Sequence, residues 1–346
     1  MRGLVRGILR NGTATRLLGR KRTGGVDAAL DPQVRAVLEL ERIARIPALD
    51  SMSPPRARWF AAEGLSPLDA DPAPMAQVVD ITVPGPASRL PVRIYVPANP
   101  RPHWIIYFHG GGGVIGSIAS SDPATRMIAA QTRCTVASVE YRLGPEAKHP
   151  AGADDAVAAY RELLARVPAG AKVAVAGDSF GGFLAAHVDH AARAQGVRPP
   201  DLQVLIYPIV DFTHAQPSNT RHAHGYLLTR DLIAWFHEHY FAAAADVQAP
   251  SPWFWPTLRG AAPALVLTAG FDPLVDEGDA YAARLRADGV TVRHHRHAGL
   301  IHGFLSMAGA VDAARSAVVE MCTDLVAMLE GAAPPADSAA GAAGVR

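Results

Sequence analysis

Eight short runs of apolar and β-branched residues recur along the chain, and most are separated by stretches with helical patterning. The runs are "VVDITV" from Val78, "VRIYV" from Val92, "WIIYF" from Trp104 and "TVASVE" from Thr135. "VAVAG" from Val173, "LQVLIY" from Leu202, "ALVLTAG" from Ala264 and "VTVRHH" from Val290 follow. Several are apolar at every position, as strands buried on both faces must be. Helical patterns fill 31–62, 123–132, 151–166, 180–195, 277–288 and 310–330. Alternation of this kind predicts an α/β architecture around a mostly parallel, eight-stranded sheet with helices on both sides. Asp31 followed by Pro32 marks the start of the first helical region. Residues 211–260 break the rhythm with "TRDLIAWFHEHYF" and "APSPWFWP", which predicts an insertion over the sheet's C-terminal edge, where pockets form.

One of these strands runs directly into a turn of unusual composition, "VAVAGDSFGG". A G-x-S-x-G segment between strand and helix is a nucleophile elbow: Gly177 and Gly181 leave room for a sharp turn that presents the Ser179 hydroxyl. The helix that follows aims its N-terminus at the same point and favours developing negative charge there. "YFHGGGGVIGS" (107–117) follows another strand and offers backbone N–H groups with no side chains in front of them. Gly111, Gly112 and the N–H of Phe180 are the expected oxyanion donors. A phosphate cradle would want a following Gly-Lys-Ser/Thr, which is missing.

A serine nucleophile needs a base, and on this fold the acid and then the histidine follow it in the chain. Asp272, just past a buried strand, and His302, in the loop after the last strand, satisfy that order. Asp276 and Glu277 are rivals for the acid but lie further into the next helix. His109 and Asp178 are expected to brace the glycine loop and the elbow. Tyr141, Arg142 and Glu146 read as a loop staple. The run "RHHRH" at 293–297 reads as an exposed strand edge. Asp211, His214, His222 and His224 lie near one another in sequence without a recognised ligand spacing, so no metal site is expected.

The motifs "YFHGGGGVIGS", "EYRLGPEAKHP", "GDSFGG", "LIYPIVD", "FDPLVDEG" and "LIHGF", in that order, resemble the hormone-sensitive-lipase branch of the α/β-hydrolases, the HGGG-motif esterases. The likeness runs from about Asp31 to Leu329. It implies an α/β-hydrolase fold with a helical cap, and a serine carboxylesterase cleaving short- to medium-chain acyl esters through an acyl-enzyme, without a cofactor. It also implies a homodimer paired through the last strand edge. An amidase or deacetylase using the same residues, or a non-catalytic small-molecule binder, stays open. The resulting division is a basic tail (1–25), N-terminal cap helices (26–75), a catalytic domain (76–210 and 261–330), a cap insertion (211–260) and a disordered tail (331–346).

Two positions depart from the family pattern. Phe180 stands where a small residue is usual, and Gly113 where an aromatic is usual. Either the bulk has crossed the substrate pocket and changed which ester fits, or Phe180 packs beneath the cap.

The formal net charge of +1 gives no reason to expect nucleic acid. The two cysteines, Cys134 and Cys322, form no disulfide framework and suit the cytoplasm. The N-terminal stretch is rich in Arg and Lys and is expected to be a disordered basic tail. Leu4, Val5, Ile8 and Leu9 share one helical face, which leaves a weak membrane-surface contact open.

Overall fold

The computed structural model describes residues 2–15, 29–64, 67–243 and 246–331. Eight strands form one sheet: β1 (Gln77–Val83), β2 (Leu90–Val96), β3 (Trp104–Phe108), β4 (Thr135–Val139), β5 (Val173–Asp178), β6 (Leu202–Ile206), β7 (Ala264–Phe271) and β8 (Val292–Ile301). Their spatial order is β1-β2-β4-β3-β5-β6-β7-β8. β2 pairs antiparallel with both β1 and β4, and all other pairs are parallel. The continuously apolar runs are the interior strands; every residue of β4 and of β6 is buried.

Strand geometry sends alternate side chains to opposite faces, and two cores result. Ile106 and Phe108 of β3 join one core and Ile105 and Tyr107 the other. Helices α5 (Ala151–Leu164), α6 (Phe180–Ala194) and α8 (Val275–Ala287) cover the first through residues such as Tyr160, Phe183 and Tyr281. Helices α4 (Ile118–Thr132) and α9 (Asp312–Leu329) cover the second through Met127, Ile128, Met321 and Leu325.

Helices α2 (Pro32–Ala44) and α3 (Pro54–Gly64) precede the sheet, and α7 (Arg230–Tyr240) lies in the long connection between β6 and β7. In α2 the Asp31 carboxylate accepts from the N–H groups of Gln33 at 2.8 Å and Val34 at 3.1 Å, with Pro32 in the first turn. α3 follows a short 3-10 turn. Segments 37–69 and 209–241 line one cavity of about 1520 Å³ together with the strand ends.

The N-terminal residues differ from expectation. Arg2–Arg10 form helix α1, a further helical turn covers 12–15, and both rest on the body of the protein. Leu9 is only 1% exposed and belongs to the second core. Arg6 holds the Asp71 carboxylate at 2.8 Å and the Asp69 carbonyl. Leu9 and, in part, Val5 of α1 thus pack on protein, which basic composition alone had hidden. The rest of that expected tail from residue 16, and the C-terminal tail from residue 332, lie outside the described residues. β8 is an edge strand but not a bare one: Arg293 is 8% exposed and paired with Asp324, and the His295 ring meets the same carboxylate at 2.6 Å.

Candidate active site

β5 ends at Asp178, and the chain turns into α6 through Ser179, whose backbone is held at φ 55° and ψ −116°. A non-glycine residue there is strained by about 1–3 kcal/mol and persists only where its surroundings enforce it. Ser179 N–H donates to Ile206 O at 2.8 Å, and Ser179 O accepts from Ile209 N–H at 3.2 Å. Both flanking glycines are required sterically: a Cβ on Gly177 would stand 2.2 Å from Gly181 O, and one on Gly181 would stand 1.9 Å from Phe108 O.

His302 follows β8 directly. Its Nε2 lies 2.9 Å from Ser179 Oγ, and its Nδ1 lies 2.7 Å from Asp272 Oδ2. The other Asp272 oxygen accepts from Leu274 N–H at 2.8 Å, and the carboxylate is fully buried. A buried carboxylate bonded at both oxygens fixes the imidazole's orientation and tautomer. The rivals point elsewhere. Asp276 pairs with Arg221 at 2.7 Å, and Glu277 accepts from the N–H groups of Val210 and Asp211.

The glycine loop lies beside Ser179. Gly110 N–H donates to Asp178 Oδ1 at 2.9 Å, and Tyr107 O–H donates to the same oxygen at 2.5 Å. Burial raises the Asp178 carboxyl above its ordinary value, and these donors work against that rise. Tyr141 O–H donates to His109 O at 2.7 Å and its ring stacks on the imidazole at 4.4 Å; burial holds His109 below its ordinary value and so favours the neutral ring. Gly111 O accepts from Val114 and Ile115 at 3.0 and 2.9 Å. Among the described residues, neither the Gly111 nor the Gly112 N–H donates to a protein acceptor.

Phe180 sits against α7, its ring 4.8 Å from that of Tyr240. Its ring is 1% exposed among Tyr141, Phe183, Phe212 and Tyr240, and it also borders the cavity. A Cβ on Gly113 would stand 2.6 Å from the Tyr240 ring and 2.9 Å from Phe180 Cζ. An aromatic at 113 and the present rings at 180 and 240 therefore exclude one another, which links the two departures from the family pattern.

The staple differs from expectation in its acid. Arg142 grips Asp155 with Nε and Nη2, each at 2.8 Å, and Asp155 also accepts the Arg142 backbone N–H. Glu146 instead pairs with Arg58, at 2.6 Å. Asp211, His214, His222 and His224 do not converge. Among the described residues, no three His, Cys, Asp or Glu side chains group as a metal would need. Sequence reasoning did not reach Tyr207, whose ring packs on His302 at 4.7 Å, or Arg58. Tyr207 stands in the quoted motif "LIYPIVD", so a signal was present; Arg58 carried none.

Comparison with known proteins bears on the fold and the family. A family model described as alpha/beta hydrolase fold matches residues 105–306. The chain is 36% identical to the carboxylic ester hydrolase LipN of Mycobacterium tuberculosis, over 85% of this chain and 82% of that protein. It is 37% identical to an ethyl acetate hydrolase of Pseudomonas putida, over 66% of this chain and 76% of that protein. Among solved structures, an α/β-hydrolase enzyme from the metagenome of Lake Arreo, Spain, superposes with a TM-score of 0.83 at 36% identity, covering 88% of this chain and 99% of that one. With this fold, these motifs and these relatives, the chain belongs to the hormone-sensitive-lipase-like carboxylesterases of the α/β-hydrolase fold family.

Proposed function

We propose that the protein cleaves short- to medium-chain acyl esters through an acyl-enzyme on Ser179. The observation that carries this reading is the unbroken hydrogen-bonded chain from Asp272 through His302 to the Ser179 hydroxyl. His302 takes the hydroxyl proton as Ser179 Oγ attacks the acyl carbonyl. Asp272 keeps the imidazole tautomer and stabilises the imidazolium. The N–H groups of Gly111, Gly112 and Phe180 receive the negative charge on the former carbonyl oxygen. His302 returns the proton to the leaving alcohol, then takes one from water as its oxygen attacks the acyl carbon, and delivers that proton to Ser179 Oγ as the acyl–Oγ bond breaks and the acid leaves.

A small-molecule ester needs no further partner. The name of the Pseudomonas putida relative, an ethyl acetate hydrolase, supports the short end of the acyl range for this protein. The two cysteines are buried free thiols, which suits action in the cytoplasm.

Hydrolysis of p-nitrophenyl esters from acetate to palmitate, with wild type beside Ser179→Ala, tests the reading. The expected result is cleavage of the shorter esters by wild type and loss to background in the variant. Equal activity in both proteins would overturn the role of Ser179. A wild-type optimum at palmitate would overturn the chain-length range.

A further inference from the structure

Three consecutive glycines, Gly111, Gly112 and Gly113, all carry positive φ, at 115°, 60° and 71°. A glycine run has no side chains with which to hold itself, and its unfolded alternatives are many. Whatever aims its N–H groups must come from outside the run.

Two elements of the cap supply that hold. On one side, α7 lays rings on the run: a Cβ on Gly112 would stand 2.2 Å from the Phe236 ring, as one on Gly113 would from Tyr240 at 2.6 Å. On the other side stands Arg58 of α3. Its Nε–H donates to Val114 O at 2.8 Å, and Nη2 donates to Gly144 O at 2.7 Å. The Glu146 carboxylate closes on Nη1 and Nη2 at 2.9 and 2.6 Å. Gly144 N–H in turn donates to Gly113 O at 2.8 Å. Arg58 thus holds the carbonyl of Val114 directly and that of Gly113 through one intermediate.

The consequence reaches the reacting end of the loop. Val114 and Ile115 donate to Gly111 O. A peptide group is planar, so the direction of the Gly111 carbonyl sets the direction of the Gly112 N–H. The path runs from Arg58 to Val114, from Val114 to Gly111 O, and across one peptide plane to the Gly112 N–H. The Glu146 pairing is half in solvent, with the carboxylate 58% exposed, and such pairs contribute little by themselves. The contacts to backbone carbonyls are the ones that matter.

We propose that Arg58 is a positioning residue for ester hydrolysis: by fixing Val114 and Gly144 from the cap, it aims the Gly112 N–H at the oxyanion. This inference rests on the role proposed for Gly112 above. It makes the cap a structural part of the oxyanion hole as well as a pocket wall.

Arg58→Lys and Arg58→Ala test it, with kcat and KM measured separately on p-nitrophenyl acetate. Lysine keeps the charge beside Glu146 but cannot fork to two carbonyls. Both variants are expected to lose about 10- to 100-fold in kcat with little change in KM, since misaiming one donor costs up to about 10²–10³. Guanidinium ion at non-denaturing concentration is expected to restore part of the Arg58→Ala rate and none of the Ser179→Ala rate. Glu146→Gln, which keeps both carbonyl contacts, is expected to stay near wild type. Arg93→Ala, on β2 where Arg93 pairs with Asp80 at 2.6 Å, serves as the control for loss of an ion-paired arginine. An unchanged kcat in Arg58→Lys, or a rise in KM alone, would overturn the proposal. Should Arg58→Ala fail to fold, Arg58→Lys and Glu146→Gln decide it. Full activity in Ser179→Ala would instead remove the reading beneath it, whatever the Arg58 variants do.

Discussion

Phe180 shows how the backbone and the ring of a single residue can stand in two different settings. Its N–H belongs to the first turn of α6, beside Ser179, while its ring fills the space under α7. Sequence alone exposed both Phe180 and Gly113 as departures, but not that they meet; the contact that links them runs between residues 67 positions apart and exists only in the folded chain. Removing the ring has two separable effects. Phe180→Ala is expected to cost about 3–5 kcal/mol in urea denaturation, as for other large buried rings. It is also expected to move the preferred acyl chain toward longer esters, because the ring borders the cavity. Phe180→Leu, which keeps most of the volume, is expected to move the preference less. An unchanged chain-length profile in both variants would assign the ring to packing alone. Ser179, Asp272 and His302 were legible because the fold delivers them in a fixed order at strand ends. Arg58 was not, because its main partners are backbone carbonyls at positions 114 and 144, which carry no residue-type signal. The partner of Arg142 was misjudged for a related reason. Glu146 is nearer in sequence, but α5 carries Asp155 back to the guanidinium and buries it completely.

At the scale of elements, the strands were the easiest features to find. Burial on both faces imposes an apolar run, and all eight runs became strands of one sheet. Helix α1 was the harder case. Its stripe of apolar residues was visible, but the surface that receives it is assembled from α2 and from segments near residues 69 and 309. Leu9 is the anchor, aided by Arg10 donating to Gly309 O at 3.4 Å. Leu9→Ala is expected to release α1 while leaving the sheet intact, since an edge element opens before the core does. Hydrogen exchange of the amides in 2–15 should then accelerate strongly, with β3 and β5 unchanged. Retained protection in α1 would show that Leu9 is not what fastens it.

The whole molecule should record its buried histidines in its acid stability. Burial lowers the His297 imidazole from 6.5 to about 4, with His295 and His294 adding to the effect. Between those values the unfolded chain takes up a proton that the folded ring refuses, so stability falls as pH falls through that window. The penalty grows by up to about 1.4 kcal/mol per pH unit. His297→Gln lacks this liability. Its stability relative to wild type is therefore expected to improve between pH 7 and pH 5, read as urea midpoints of both proteins at each pH. A constant difference would show that His297 is not held neutral. His187 and His214 are lowered to about 4 by burial as well, and remain as a shared background in both proteins.

The docking of the N-terminal elements also bears on how the chain is made. Asp31 N–H donates to Gly299 O, Gln33 meets Asp312, and Arg10 reaches Gly309. At synthesis rates of about 5–20 residues per second, these partners leave the ribosome roughly 15–60 s after the segments they receive. Arg10, Asp31 and Gln33 are made early, and these partners are made late. Until β8 and α9 exist, Asp31 and Gln33 lack the partners that seat the start of α2, and the nascent chain must carry it without them.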